Sequence, residues 1–200
     1  MRTLVIAALI GTALVAVPSS QTTQNARVSD SLERAFPTNG RIRMDLSAGE
    51  YRISGSKENR VRLQWRVRNA EELSQVRTRI DVRDRNATIL TDGPNHFKVD
   101  IQVPARADLH VRLTAGELTV DGIEGNKDIG LHAGELDIDV GRAEDYKSVS
   151  ASVWAGELHA TPYNENKEGL FRSFDWTGKG PYRLEARLKA GEVRLHANRR

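Results

Sequence analysis

Five glutamates, Glu50, Glu117, Glu135, Glu157 and Glu192, each close an Ala-Gly-Glu triplet. Stacked on one another they would form a carboxylate ladder able to take a hard cation such as calcium, with Asp121, Glu124, Asp128, Asp137 and Asp139 nearby in sequence. Against this, the chain carries no Gly-rich calcium repeat, and each Glu can instead face solvent or accept hydrogen bonds from backbone N–H groups freed at a bend. The histidines do not make a transition-metal set. His132 precedes its triplet, His159 follows its own, and His96, His110 and His196 have no partner at short spacing. There is no Gly-x-Ser-x-Gly elbow, no cysteine nucleophile and no Gly-rich phosphate loop. Carboxylates are abundant, but none is singled out as an acid paired with a base, so no catalytic, cofactor or metal residue is assigned.

Two surfaces offer recognition instead. In "NRVRLQWRVRN" the residues Arg60, Arg62, Arg66 and Arg68 share one side of a strand whose other side carries Val61, Leu63, Trp65 and Val67. Such a face could hold carboxylate, sulfate or phosphate groups bidentately, as on an anionic envelope polymer or lipid headgroups. The alternative is an edge strand guarded by charge and paired with local acidic residues. Arg41 and Arg43 repeat the pattern on a smaller scale. The second surface is aromatic. Trp154 occupies an outward position held by Ser47, Thr114, His132 and Lys189 in the other copies, and Tyr163, Phe171, Phe174, Trp176 and Tyr182 follow. Trp154 and Trp176 are therefore candidate contacts for a sugar or a protein partner; the alternative is a cluster that closes the open end of the fold.

The elements that position these residues follow from the triplet itself. In all five copies an apolar residue stands two before the Ala (Leu46, Leu113, Leu131, Val153, Leu188), another just after the Glu (Tyr51, Leu118, Leu136, Leu158, Val193), and a third two beyond that. Period two on each side with a one-residue slip between is a strand that turns a corner and keeps the same face inward, and glycine tolerates the backbone angles of the slip. Gly49, Gly116, Gly134, Gly156 and Gly191 are the expected structural corners. Corners 18 and 22 residues apart in the middle of the chain predict an all-β, single-stranded β-solenoid in which each coil stacks on the one before, with a β-sandwich as the alternative. Asn69 with Glu72 predicts one short helix over 70–78, continued by Leu73, Val76 and Ile80. Strands are expected at "ATIL" and "FKVDIQV", separated by the turn "TDGPN".

"IQVPARADLHVRLTAGELTVDGIEG" and the C-terminal "GKGPYRLEARLKAGEVRL" resemble the bacterial family of secreted and membrane-linked β-solenoid domains known as putative adhesins, a "toastrack"-like domain of unknown function with repeated Gly-acidic corners. The resemblance covers roughly residues 40–197, and its motifs are structural. It implies a stack of short strands, an envelope location and no catalytic residues. The chain departs from the commoner Gly-Asp corner by using Glu throughout.

The N-terminus suggests export. Met1-Arg2, the apolar run Leu4 to Val17 and the small residues after Pro18 read as a signal peptide over 1–19, the run being shorter than the ~20 residues a membrane-spanning helix needs. Residues 20–40 are polar and expected to be a flexible segment, with Phe36 a candidate first core contact, and residues 41–200 form the solenoid-like domain. With no cysteine there is neither a disulfide nor a lipid-anchored cysteine. Net charge is +3 in total but segregated: +5 over residues 41–112, −7 over 113–160 and +4 over 161–200. Such patterning allows head-to-tail self-association, while the small net charge and the lack of aromatic residues interleaved for base stacking argue against nucleic acid as a partner. The expectation is a non-enzymatic, exported module of the periplasm or cell envelope, adhesin-like or scaffolding. The alternatives are a sensory or regulatory envelope domain acting through a protein partner and, third, a polysaccharide hydrolase.

Overall fold

The computed structural model describes residues 28–197 apart from residue 95. The expected signal peptide lies outside the described residues. In chain order the elements are β1 (Val28–Ala35), β2 (Arg41–Leu46), β3 (Gly49–Ser56), β4 (Arg60–Val67), the one-turn helix α1 (Ala70–Leu73), β5 (Arg77–Arg83), β6 (Asn86–Asp92), β7 (Lys98–Pro104), β8 (Asp108–Asp121), β9 (Lys127–Asp139), β10 (Tyr146–Ala160), β11 (Glu165–Thr177) and β12 (Tyr182–His196). The chain is all-β, and the strands form one mixed sheet.

Strands β8, β9, β12 and β10 each run through an Ala-Gly-Glu corner in mid-strand. They pair in parallel with the triplets in register: Gly116 with Gly134, Gly134 with Gly191, and Gly191 with Gly156. The pairs β2–β3 and β6–β7 supply two further coils, in which the corner divides a first arm from a second, and Gly49 pairs with Gly116. The slip behaves as its residue pattern requires. Leu113 and Leu118, on either side of one corner, are 2% and 1% exposed, and both arms face a single apolar cluster that extends from Phe36 to Leu195. Burying each such side chain contributes about 1.5–3 kcal/mol, so the stack is held by its interior, without any covalent cross-link.

The corner glycines are explained by backbone proximity. At Gly134, φ is +129°, and a Cβ there would lie 1.9 Å from the carbonyl oxygen of Gly116. The same approach recurs at 1.8–1.9 Å at Gly116, Gly156 and Gly191, so a side chain would collide with the next coil's main chain at every level.

The structure corrects three expectations. The coils do not stack in chain order: the fifth triplet, in β12, sits between the third and the fourth, in β9 and β10. Likewise the β6–β7 coil lies outside β2–β3 rather than between β3 and β8. Because every corner presents the same backbone to its neighbours, any copy fits on any other, and connection lengths rather than corners set the order. Second, α1 ends at Leu73 instead of 78. Its cap is as expected, the Asn69 side chain accepting from the Glu72 N–H at 2.8 Å and the Glu72 carboxylate accepting from the Arg68 N–H at 2.9 Å. But Ile80 is recruited to β5, opposite Ile89 of β6, where it is 6% exposed. Third, within the segment expected to be flexible, residues 28–35 are strand β1, paired along its length with β4, and Phe36 is buried.

The ends of the stack differ. At one, β5 runs antiparallel to β6, and β4 then β1 continue beyond β7. At the other, β11 lies antiparallel along both arms of β10 and follows its bend, Gly169 (φ +109°) pairing with Gly156.

Candidate binding groove

Alternation along a strand sends every second residue outward, and in parallel, in-register strands these residues line up in rows. The row immediately before the Ala is Ser47, Thr114, His132, Lys189 and Trp154, in spatial order from β2 to β10. On the outer face of the first arm this row and the next one back enclose a groove of 960 Å³. Its floor is shallow because small residues lie there, Gly130 on β9 and the register partners Ser152 and Ser173 on β10 and β11.

One end of the groove is aromatic. Trp154 and Phe171 are 56% and 70% exposed, and their rings meet edge to face at 5.7 Å and 86°. Phe171 takes φ +55°, a strained angle for a side chain of that size, which turns it outward beside Trp154. The remaining wall is cationic: Arg112, Arg172, Arg187 and Lys189 line the groove against one carboxylate, Asp45. Arg112 lies across Gly130, where a Cβ would come within 3.1 Å of its Cδ, and donates to both Asp128 carboxylate oxygens at 3.0 Å. Arg187 reaches the same carboxylate from β12 at 2.6 Å and also pairs with Glu185. Burial is the largest single influence on Asp128 and raises its pKa, but the hydrogen bonds and charge of Arg112 together with the charges of Arg187 and His110 outweigh it and hold the carboxyl below its usual range. Lys189 and Arg172 are different. Lys189 donates to His132 Nε2 at 3.0 Å and Arg172 to the Glu168 carbonyl, and neither has a carboxylate in ion-pair reach among the described residues.

The expected arginine face exists, but its charges are largely taken up. Arg60 is bound by Glu33 and Glu58, Arg62 by Glu33, and Arg66 by Asp100 at 2.9 Å. Glu33, exposed at the surface, is shifted below its ordinary range by its hydrogen bonds from Arg62 and Arg60. The strand is not an edge: β4 lies between β1 and β7. Arg43 pairs with Asp45 in the same way at 3.0 Å.

Trp154 and Trp176 are on opposite faces of the sheet. Trp176 is the register partner of the buried Val149 and therefore points inward, where it packs on Tyr163 at 5.0 Å; Phe174 packs on the same ring at 5.3 Å. These three close the inner end of the stack, and burial pushes the Tyr163 hydroxyl up to about 12.

The glutamate column is built as the triplet predicts, in the spatial order Glu50, Glu117, Glu135, Glu192, Glu157. Most of its charge is met locally. Glu50 pairs with Lys98, Glu192 with Arg194, and Glu135 with Arg194 at 3.4 Å. The register also assembles a group that linear spacing hid. Glu157, His159 and Glu192 bring three ligand-type atoms within 4.8 Å of one another. His159 Nε2 is 3.1 Å from Glu157 and 3.6 Å from Glu192, while Nδ1 is 3.1 Å from Asn166 Oδ1. With acceptors on both ring nitrogens the imidazolium is favoured, and the pKa of His159 is raised, mainly by the hydrogen bond to Glu157. Protonation of the ring adds positive charge beside both carboxylates, Glu157 and Glu192.

Sequence reading also missed Lys127. It occupies the inward column between Leu109 and Leu184, 2% exposed, with its ammonium donating to the Tyr146 hydroxyl at 2.6 Å. Burial pushes its pKa down to about 8, despite the nearby carboxylates of Asp139, Asp145 and Glu124. The signal available in the sequence was a lysine at a position where the aligned copies carry Ile42, Leu109, Val149 and Leu184.

No family model matches this sequence, and no curated protein matches it. Solved structures do. A protein described as a "putative cell adhesion protein" from Clostridium sporogenes is 12% identical over 86% of this chain and 100% of its own, with a TM-score of 0.57. That likeness shows a shared fold. A "putative adhesin" from Parabacteroides merdae (13% identity, 84% of this chain and 81% of its own) and a "putative lipid binding protein" from Parabacteroides distasonis (10%, 84% and 96%) align with TM-scores of 0.29 and 0.26.

Proposed function

We propose that the chain is an exported, non-enzymatic, adhesin-like binding module of the cell envelope, and that its working surface is the outer groove. The carrying observation is the meeting there of two exposed aromatic rings with two cations that lack a carboxylate partner among the described residues. Exposed aromatic area is costly to leave in water, and aromatic side chains set beside cationic ones are characteristic of recognition surfaces. The arginine strand β4 is the weaker candidate, because an incoming anion would have to displace Glu33, Glu58 and Asp100. Among the described residues no helix is long and apolar enough to cross a membrane.

The test is co-sedimentation of the purified chain with isolated cell envelopes at low and high salt. Alongside it go a groove variant, Trp154→Ala with Lys189→Gln, and a strand variant, Arg62→Gln with Arg66→Gln. Binding that weakens with salt, is lost in the groove variant and persists in the strand variant supports the groove. Loss in the strand variant alone would return the function to β4, and equal sedimentation of all three would overturn both assignments.

A further inference from the structure

We infer that the aromatic end of the groove is a subsite for a carboxylate-bearing sugar, and so that the ligand is an acidic polysaccharide; this rests on the groove being the working surface. The register places the parts side by side. Leu188 and Ala190 of β12 pair with Val153 and Ala155 of β10, which sets Lys189 directly beside Trp154, and Trp154 in turn touches Phe171. Arg172 follows Phe171 in the chain and lines the same groove. The two aromatic rings are therefore flanked by two cations, neither with a carboxylate in reach among the described residues.

The chemistry of each part selects the ligand. A sugar ring presents a face of C–H groups that packs on an indole, and an indole half exposed to water provides such a surface with little loss of side-chain entropy. Because the two rings meet at 86°, they form a step instead of a flat stack, which suits a ring seated on one face against the edge of the other. A carboxylate attached to that sugar finds the Lys189 ammonium, whose orientation is fixed by donation to His132 Nε2 at 3.0 Å, and the guanidinium of Arg172, whose Nε alone is engaged by the Glu168 carbonyl. A neutral sugar leaves both cations unanswered, and a glycerol or serine phospholipid headgroup has no ring for Trp154. Further along the groove, Arg112 and Arg187 share Asp128, so they extend the positive field without offering a second uncompensated site. The open, shallow shape over Gly130, Ser152 and Ser173 admits a chain rather than a single enclosed molecule.

The experiment is isothermal titration of the purified chain with polygalacturonate, with dextran as the neutral polymer and with anionic phospholipid vesicles. The variants are Trp154→Ala, Lys189→Gln and, as a control outside the groove, Arg66→Gln. The expected result is saturable, salt-weakened binding of polygalacturonate, reduced at least tenfold by either groove substitution and unchanged in the control, with no binding of dextran. All four proteins should unfold at the same urea concentration, since the substituted residues are exposed. Absence of polygalacturonate binding, equal binding by the groove variants and the wild-type chain, or binding of vesicles in place of the polymer would each overturn the acidic-sugar assignment. If envelopes still sediment the chain through Trp154 and Lys189 while polygalacturonate does not bind, the groove stands as the working surface and only the ligand class fails. If polygalacturonate binds through these residues and envelopes do not, the subsite stands and the envelope role fails.

Discussion

The corner glycines and the outward row beside them are two residues apart in the chain and answer to different physics. Gly116, Gly134, Gly156 and Gly191 repeat without variation because each lies under 2 Å, at its absent Cβ, from a neighbouring coil's carbonyl oxygen. The row next to them reads Ser47, Thr114, His132, Lys189, Trp154, with no common chemistry, because those side chains meet solvent. Backbone packing enforces identity at one position, and freedom from packing leaves the adjacent position open to be specialised. The binding surface accordingly lies on the positions that the repeat does not constrain.

The largest effect that contrast predicts is at the corner. Gly134→Ala should cost more than about 4 kcal/mol or prevent folding, while His132→Ala, two residues upstream, should stay within about 0.5 kcal/mol, both read from urea unfolding. A stable Gly134→Ala chain would break the distinction. Next in size is Lys127, a charged side chain at an inward position of an otherwise aliphatic column. Lys127→Met should destabilise by about 2 kcal/mol, because the buried Tyr146 hydroxyl loses its partner.

The same lysine has a pH signature. Its pKa in the folded chain, about 8, lies below the unfolded value of 10.5, so between these the unfolded chain binds more protons and stability rises with pH. The slope should be visible from about pH 8 to 9.5, below the range where the raised pKa values of Tyr146 and Tyr163 begin to act in the opposite sense, and it should vanish in Lys127→Met. Denaturation of both chains across that window checks it, and parallel curves would exclude Lys127 as the source.

Asn69→Ala should cost about 1 kcal/mol through the lost helix cap, a local effect that leaves the coils intact and is measurable by the same unfolding curve. The smallest change belongs to His159, at the solvent side of the corner. Its raised pKa means that its contribution is fully present below about pH 6.5 and is lost as pH rises through the folded value. Being exposed to solvent, it should contribute under about 1 kcal/mol. An NMR titration of the ring in the wild-type chain and in Glu157→Gln tests this; a ring that titrates at its ordinary value in both would remove the bridge between β10 and β12.

Much of the fold was legible in the residues. The spacing of Leu113, Gly116 and Leu118 specifies a strand that turns without exchanging its faces, and five such segments with little helical periodicity specify an all-β chain. Trp154 was legible as an outward side chain, and Arg60, Arg62 and Arg66 as one face of a strand, whereas Arg68, expected on the same face, lies beyond the end of β4. What pairing each would find was not, because Glu33 and Asp100 reach those arginines from distant segments. The helix after Asn69 illustrates the same limit: its cap is local and was readable, whereas the withdrawal of Ile80 into β5 depends on Ile89 of a later strand.

By itself, then, the sequence determined the corner, the alternation on both sides of it and the apolar residues that flank it on the inward side, all of which are properties of a single strand and its nearest neighbours in the chain. Only the tertiary structure decided that β12 slots between β9 and β10, and hence that Lys189 stands beside Trp154, that His159 meets Glu192 and that Lys127 sits between Leu109 and Leu184 in an otherwise aliphatic column. The physical reason is that identical corners stack equally well in any order. Neighbour identity, and with it every contact between coils, is set by the connections and the packing of the whole core.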